Sequence, residues 1–330
     1  MPSRPALSRW VEQLQSQGRY TFTRGEAEAK TDRSFVAAQS ALRRLKKRSR
    51  IVSPRRGFYV VVPPEYRTAG SPPASWFIDD LMRFVKQPYY VGLLSAAAIH
   101  GAAHEQPMVF QVITSKPIRE MRAGRVVLRF SMNRKVEQMP LMDVQTETGS
   151  MCVATPETTA FDLVRYPAGA GHLSNAATVL AELAERLDVE ALGALASLVR
   201  MPDVQRLGYL LEAVGEHRLA KPLADWLRTR SPRIVPLRPG SPTETASDRR
   251  WRVIPNEKLE VDFRFPVPTS QAGEFVRPGL PTPRWNRTSY SPAPWSRCSV
   301  DLNSPRDSYF GAGRHSTSSS SLQPAGTRRT

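Results

Sequence analysis

TRGEAEAKTDRSFVAAQSALRRLKKRSRIVSPRRGFY, residues 23–59, strings together a short polar helix, a tight turn, a longer cationic helix and a basic hairpin. Between Arg43 and Arg56 eight of the fourteen residues are Lys or Arg, and none is acidic. An unpaired charge is costly to bury, so a run of this density faces water or a polyanion. Thr23 is placed to cap the helix Arg24 to Lys30, and Thr31 and Asp32 form the turn. In the longer helix, about Arg33 to Lys47, the residues Phe35, Ala38, Leu42 and Leu45 share one stripe and are expected inside. Arg33, Ala37, Ser40, Arg44 and Lys47 share another and are expected outside. Ala37 and Ser40 are small enough to let the backbone approach a groove, while the long cations reach phosphates or guanine edges. Ile51 and Val52, a turn from Ser53 to Gly57, and Phe58 to Val62 predict a hairpin with a cationic tip.

Working outward, Leu7, Trp10, Val11 and Leu14 recur at helical spacing, with Gly18 where a C-cap belongs, and Tyr20 and Phe22 suggest a short strand. Helix, helix, helix, hairpin is the order of a winged helix-turn-helix. The residues expected to meet DNA are Arg24, Arg33, Ser34, Ala37, Ser40, Arg43, Arg44, Lys47, Arg55 and Arg56. In this placement Arg33, Ser34, Ala37, Ser40, Arg44 and Lys47 face the major groove, Arg55 and Arg56 hold the wing on the backbone, and Arg24 reaches phosphate. The plainer alternative is that Arg43 to Arg56 is a solvated basic face.

Charge follows this division. The 330 residues carry a formal charge of +17, with a net +10 in residues 1–62, +6 in 264–330 and +1 in the 201 residues between. Basic ends on a neutral body fit a nucleic-acid module joined to a second domain, not a uniformly basic structural protein. No run of about 18 apolar residues exists, and the polar start leads into no signal-like segment, so a cytoplasmic protein without a membrane partner is expected. Cys152 and Cys298 stand alone, which suggests a reducing compartment and no structural zinc.

Pro63, Pro64 and Thr68 to Pro73 read as a stiff linker, residues 63–74, separating the module 1–62 from the body 75–263. In the body, Trp76 to Val85 reads as a helix with Trp76, Phe77, Leu81 and Phe84 as its apolar contributors. Tyr89 to His100, apolar almost all round, reads as one buried helix ended by Gly101. Val109 to Thr114, Arg125 to Phe130 and Met151 to Ala154 read as strands, and Thr155 and Pro156 as the cap and first residue of a helix. Helices follow from Leu173 to Leu227, and Trp251 to Ile254 is expected to return to the sheet. The fold class is α+β: an N-terminal winged helix-turn-helix followed by a larger mixed domain with a small sheet and a helical lobe.

Little in the body points to chemistry. His100 and His104 are four apart, but no Glu follows His100 and Gly101 interrupts the helix. Asp79 and Asp80 lack a preceding Gly-Ser loop. Asn256, Glu257, Lys258 and Glu260 have the wrong carboxylate and lysine order for a nuclease. Asp162 and Glu157 sit on a capped helix, where dipole support is the ordinary role. No catalytic residue, metal ligand or cofactor is expected.

Several segments carry a family resemblance: Tyr89 through His104, Phe110-Gln111-Val112, Thr155-Pro156-Glu157, Asp162 through Pro167, and Arg250-Trp251-Arg252-Val253-Ile254. Together, over about residues 1–263, they resemble the AbiEi antitoxins of bacterial two-gene systems linked to abortive phage infection, a type IV toxin-antitoxin arrangement. The resemblance implies a winged helix that binds inverted repeats in its own promoter and represses the operon. It also implies a C-terminal domain that counteracts an AbiEii-like nucleotidyltransferase toxin without a stable complex. The sequence departs from that pattern after about residue 263, where 67 residues rich in Pro, Ser and Arg are expected to be a disordered tail. Two rival functions stay open: a DNA-targeted nuclease with the winged helix as its targeting module, and a repressor with no antitoxin role.

Overall fold

The structure, a computed structural model, describes residues 7–31, 35–102, 109–242 and 245–260. The tail 264–330 with Cys298, and also Arg33, Ser34, Asp32 and His104, lie outside the described residues.

The N-terminal part runs α1 (Leu7–Ser16), β1 (Thr21–Thr23), α2 (Arg24–Thr31), α3 (Phe35–Lys47), β2 (Ile51–Arg55) and β3 (Phe58–Val61). The apolar stripe of α1 is buried as its spacing requires, and Gly18 ends the turn at φ +72°. Thr23 caps α2 reciprocally: its Oγ1 accepts from the Glu26 amide (3.3 Å) while Glu26 accepts from the Thr23 amide (2.7 Å). The hairpin turn is tighter than expected. Ser53, Pro54 and Arg55 belong to β2, Arg55 pairs with Phe58, and only Arg56 and Gly57 (φ +88°) make the turn. Proline is tolerated because β2 is an edge strand in the order β1-β3-β2 and the register is broken between Val52 and Arg55.

Strand β3 serves two cores. Val61 and Tyr59 face the helices, where Tyr59 stacks on Phe22 at 5.3 Å. Phe58 and Val60, on the other face, join Phe77, Ile78, Leu81 and Met82 of the body. Residues 63–74 therefore run over the body instead of holding the module away from it. Ser71 is buried, the Arg125 amide donates to Ala69 O (2.9 Å), and a β-carbon at Gly124 would strike the backbone of Gly70 at 2.5 Å. Thr21 donates to Asp80 across the same junction at 2.5 Å.

The body continues with α4 (Ile78–Val85), β4 (Tyr89–Val91), α5 (Leu93–Ile99), β5 (Val109–Thr114), β6 (Met121–Ala123), β7 (Val126–Met132), β8 (Leu141–Thr146) and β9 (Gly149–Ala154). Tyr89 to His100 is thus not one helix. Tyr89, Tyr90 and Val91 are β-forming residues buried on both sides, and Gly92, extended at φ −131°, breaks the chain before α5. The six strands are ordered β6-β7-β5-β4-β9-β8 in a mixed sheet, with β4 antiparallel to β5 and parallel to β9. Phe84 is not a core residue of α4; at 36% exposure it lies against Phe58, ring centroids 5.4 Å apart.

The helical lobe comprises α6 (Pro156–Arg165), α7 (His172–Leu183), α8 (Val189–Leu195), α9 (Met201–Ala213) and α10 (His217–Arg228). Thr155 caps α6 with Pro156 at its first position, as its sequence dictates. Val253–Ile254 (β11) does not return to the large sheet. It pairs in parallel with Val235–Pro236 (β10), because Trp251 is drawn into the lobe core instead.

Candidate nucleic-acid interface

The exposed arc of α3 is set by its buried one. Ala38, Ala41, Leu42 and Leu45 turn inward, which leaves Val36, Ser40, Arg43 and Lys47 along a line at i, i+4, i+7 and i+11. Arg43, Arg44 and Lys47 are exposed, Ser40 is half-buried, and Ala37 is half-buried at the edge of the arc next to Ala38 and Ala41. Val36, 68% exposed, stands in the middle of the arc. Sequence patterning passed over it because a valine reads as core; the stripe it shares with Arg43 and Lys47 was the available signal. Gln39, Lys46 and Arg48 are also exposed.

Arg50 is removed from the cationic set, since both its terminal nitrogens donate to Glu12 at 3.0 Å. Arg43, Arg44, Lys46, Lys47, Arg48, Arg55 and Arg56 form no ion pair among the described residues. At the hairpin, Arg55 and Arg56 are exposed, and the Arg24 amide donates to Gly57 O (2.8 Å), tying the start of α2 to the turn. Arg24 is 3.4 Å from Glu28 and lines an open groove of about 500 Å³ together with Thr23, Gly25, Arg56, Gly57 and Phe84. Burial works against the charge on Glu26, but hydrogen bonds from Arg19 and Thr23 prevail and hold its carboxyl below the ordinary range. Of the ten residues read from the sequence, eight are described, and all eight lie on α2, α3 or the hairpin.

Behind this surface, residues 90–213 match the family model described as the AbiEi antitoxin C-terminal domain. The chain carries an AbiEi antitoxin domain. The match begins within β4 and ends with α9, so it takes in the large sheet and most of the helical lobe. No curated relative matches the chain. Among solved structures, one described as the crystal structure of RV2827C protein from Mycobacterium tuberculosis is similar in fold, with a TM-score of 0.55 at 18% identity. That likeness covers 76% of this chain and 94% of the other.

Within the body the polar residues act as fasteners. His100 meets Ala154 O at 2.8 Å, and Glu157 accepts from the Asp188 amide at 3.0 Å. Asp162 does not support the helix dipole: it lies in the second half of α6, 3% exposed, where its Oδ1 accepts from the Tyr90 hydroxyl at 3.3 Å and its Oδ2 has no partner among the described residues. Burial pushes its carboxyl up to about 7, offset only in part by the Tyr90 hydroxyl and Arg165. Asp79 accepts from Tyr89 at 3.1 Å and pairs with Arg83, and Asn256 bonds the backbone of Arg238. Among the described residues no group of three His, Cys, Asp or Glu side chains is disposed to hold a metal ion, and no helix is long and apolar enough to cross a membrane.

Proposed function

We propose that this chain is a transcriptional autorepressor and antitoxin: residues 1–62 act as a winged helix-turn-helix on inverted repeats of its own promoter, and the AbiEi domain counteracts a nucleotidyltransferase toxin. The observation that carries the reading is the set of seven cations on α3, the turn after it and the hairpin, all exposed and without acidic partners among the described residues. In this reading α3 enters the major groove with Val36, Ser40, Arg43 and Lys47 foremost and Arg33, Ser34, Ala37 and Arg44 beside them. Arg55 and Arg56 hold the wing on the adjacent backbone, and Arg24 reaches a phosphate at the groove it shares with Arg56. The antitoxin acts on the toxin's effect in the cytoplasm without a lasting complex and performs no catalysis itself.

Fluorescence anisotropy with duplex DNA from its own promoter tests the first half. Arg44→Ala and Arg55→Ala are each expected to weaken binding; unchanged affinity for both would overturn the placement. Adding magnesium or manganese should leave the DNA intact, and cleavage would favour the nuclease. Growth rescue on co-expression with an adjacent nucleotidyltransferase gene tests the second half, and failure to rescue would leave a repressor alone.

A further inference from the structure

The sequence motif Arg250-Trp251-Arg252 has no part in the function above, and the structure gives it a distinct setting. Trp251 is 1% exposed in the lobe core, its indole N–H donating to Glu212 at 2.6 Å and its amide to Asp248 at 2.7 Å. Asp248 and its neighbours close a tight backbone loop: the Arg252 amide donates to Asp248 O (2.9 Å) and the Asp248 amide to Val253 O (2.8 Å). With the tryptophan pinned inward, Arg249, Arg250 and Arg252 are driven outward, Arg252 in the left-handed region at φ +56°. Opposite them stands the end of α10 with Arg228 and Arg230, and the five arginines line a groove of about 660 Å³ whose one lining acid is Asp225.

Not all of this charge is compensated. Arg228 pairs with Asp225 at 3.3 Å and Arg250 with Glu212, but Arg249, Arg252 and Arg230 form no ion pair among the described residues. The Arg230 guanidinium carbon lies over the ring of Trp226, 3.8 Å from its centroid, and the group is held there by a bond to Trp226 O (2.8 Å). A guanidinium backed by an indole presents one free planar face, on which a nucleobase stacks, and two unpaired arginines across the groove suit phosphates. A duplex keeps its bases paired inside and offers nothing to that face.

We propose that the groove between the end of α10 and the 249–252 loop is a binding site for single-stranded nucleic acid, separate from the N-terminal module. Arg249 and Arg252 take backbone phosphates, and the Arg230–Trp226 stack takes a base. Because the surface belongs to the lobe, it operates whether or not α3 binds DNA.

The test uses the full chain and four labelled probes: a 12-nucleotide RNA of mixed sequence, the same sequence as single-stranded DNA, that sequence as a duplex, and a polyglutamate peptide. Arg249→Ser with Arg252→Asn removes both phosphate contacts, asparagine tolerating the left-handed backbone; Arg230→Ala removes the stack. Each is expected to cost single-strand affinity on the order of tenfold, and the double variant to lower the salt slope by about 1.4 units. Duplex binding should stay at the parent level, while Arg44→Ala should show the opposite pattern and so report on the N-terminal module alone. Preference for RNA or for single-stranded DNA names the source, and either supports the site. Single-strand affinity unchanged in both variants, an equal loss on duplex, or capture of the acidic peptide alone would overturn it. Far-UV circular dichroism and the urea midpoint check that each variant keeps its fold.

Discussion

The indole of Trp251 lies across the backbone of Gly208, so close that a β-carbon on Gly208 would fall 1.9 Å from Cζ3 and 2.2 Å from Cη2. Gly208 is buried inside α9 and has no room to withdraw. Gly208→Ala is expected to destabilise the chain by about 3 kcal/mol, the upper end of overpacking costs, and to shift the urea midpoint down. Since the displaced indole carries the 249–252 loop with it, single-strand binding should fall in the same variant. A midpoint equal to that of the parent would show that the indole yields freely.

Lys47 and Arg50 are both cations of the same segment and are expected to differ. Lys47→Ala should weaken binding to all duplexes alike and lower the salt slope by about one unit. Arg50→Ala should leave the slope unchanged, because its guanidinium is already held by Glu12. Titration of each variant with promoter DNA at several salt concentrations separates them.

In the proposed complex Val36 offers a contact without charge, such as that with a thymine methyl. Val36→Ser should relax selection at one operator base pair, at a cost of about 1 kcal/mol in specific affinity. Its thermal midpoint should match the parent, since the side chain is 68% exposed. Binding assays on operators altered one base pair at a time provide the readout.

Asp162 gives the AbiEi domain a pH dependence. Its folded carboxyl titrates at about 7 against an ordinary value of 3.8, so between these limits the native state holds a proton that the unfolded chain has released. The contribution is complete below about pH 4 and is lost as pH rises through 7, with a slope of up to about 1.4 kcal/mol per pH unit. Asp162→Asn keeps a neutral acceptor for Tyr90 and should flatten the stability profile over that window. Parallel profiles for parent and variant would refute the assignment.

Phe58 binds the N-terminal part to the body by filling a place in the body core. Phe58→Ala is expected to cost about 3–5 kcal/mol and to lower the melting of the described fold as a whole. Calorimetry showing an independent early transition for the N-terminal helices would contradict a shared core.

What could be read from residue order was what depends on local periodicity and capping. The Thr23 and Thr155 caps each reduce to one turn of chain, and the α1 stripe and the divided surface of α3 to about two or three. Tyr89–Val91 escaped because three β-forming residues next to an apolar helix carry no period of their own; Gly92 was the sole mark of the break. β6 is only three residues long and β8 is largely exposed or half-buried, so neither announces its pairing with β7 or β9 by a period of its own. The arginine groove was illegible for the same reason. Its two sides come from residues about twenty apart, inside a body whose total charge is near zero.

The hairpin common to both cores also fixes an angle. With Phe58 and Val60 committed to one side of β3 and Val61 to the other, α3 and the AbiEi domain cannot rotate independently about residues 63–74. In the proposed repressor, with copies seated on successive repeats, the number of base pairs between half-sites would then dictate where the bulky parts fall around the duplex axis. A five-base-pair insertion, half a helical turn, would throw them onto opposite sides while leaving every base contact intact.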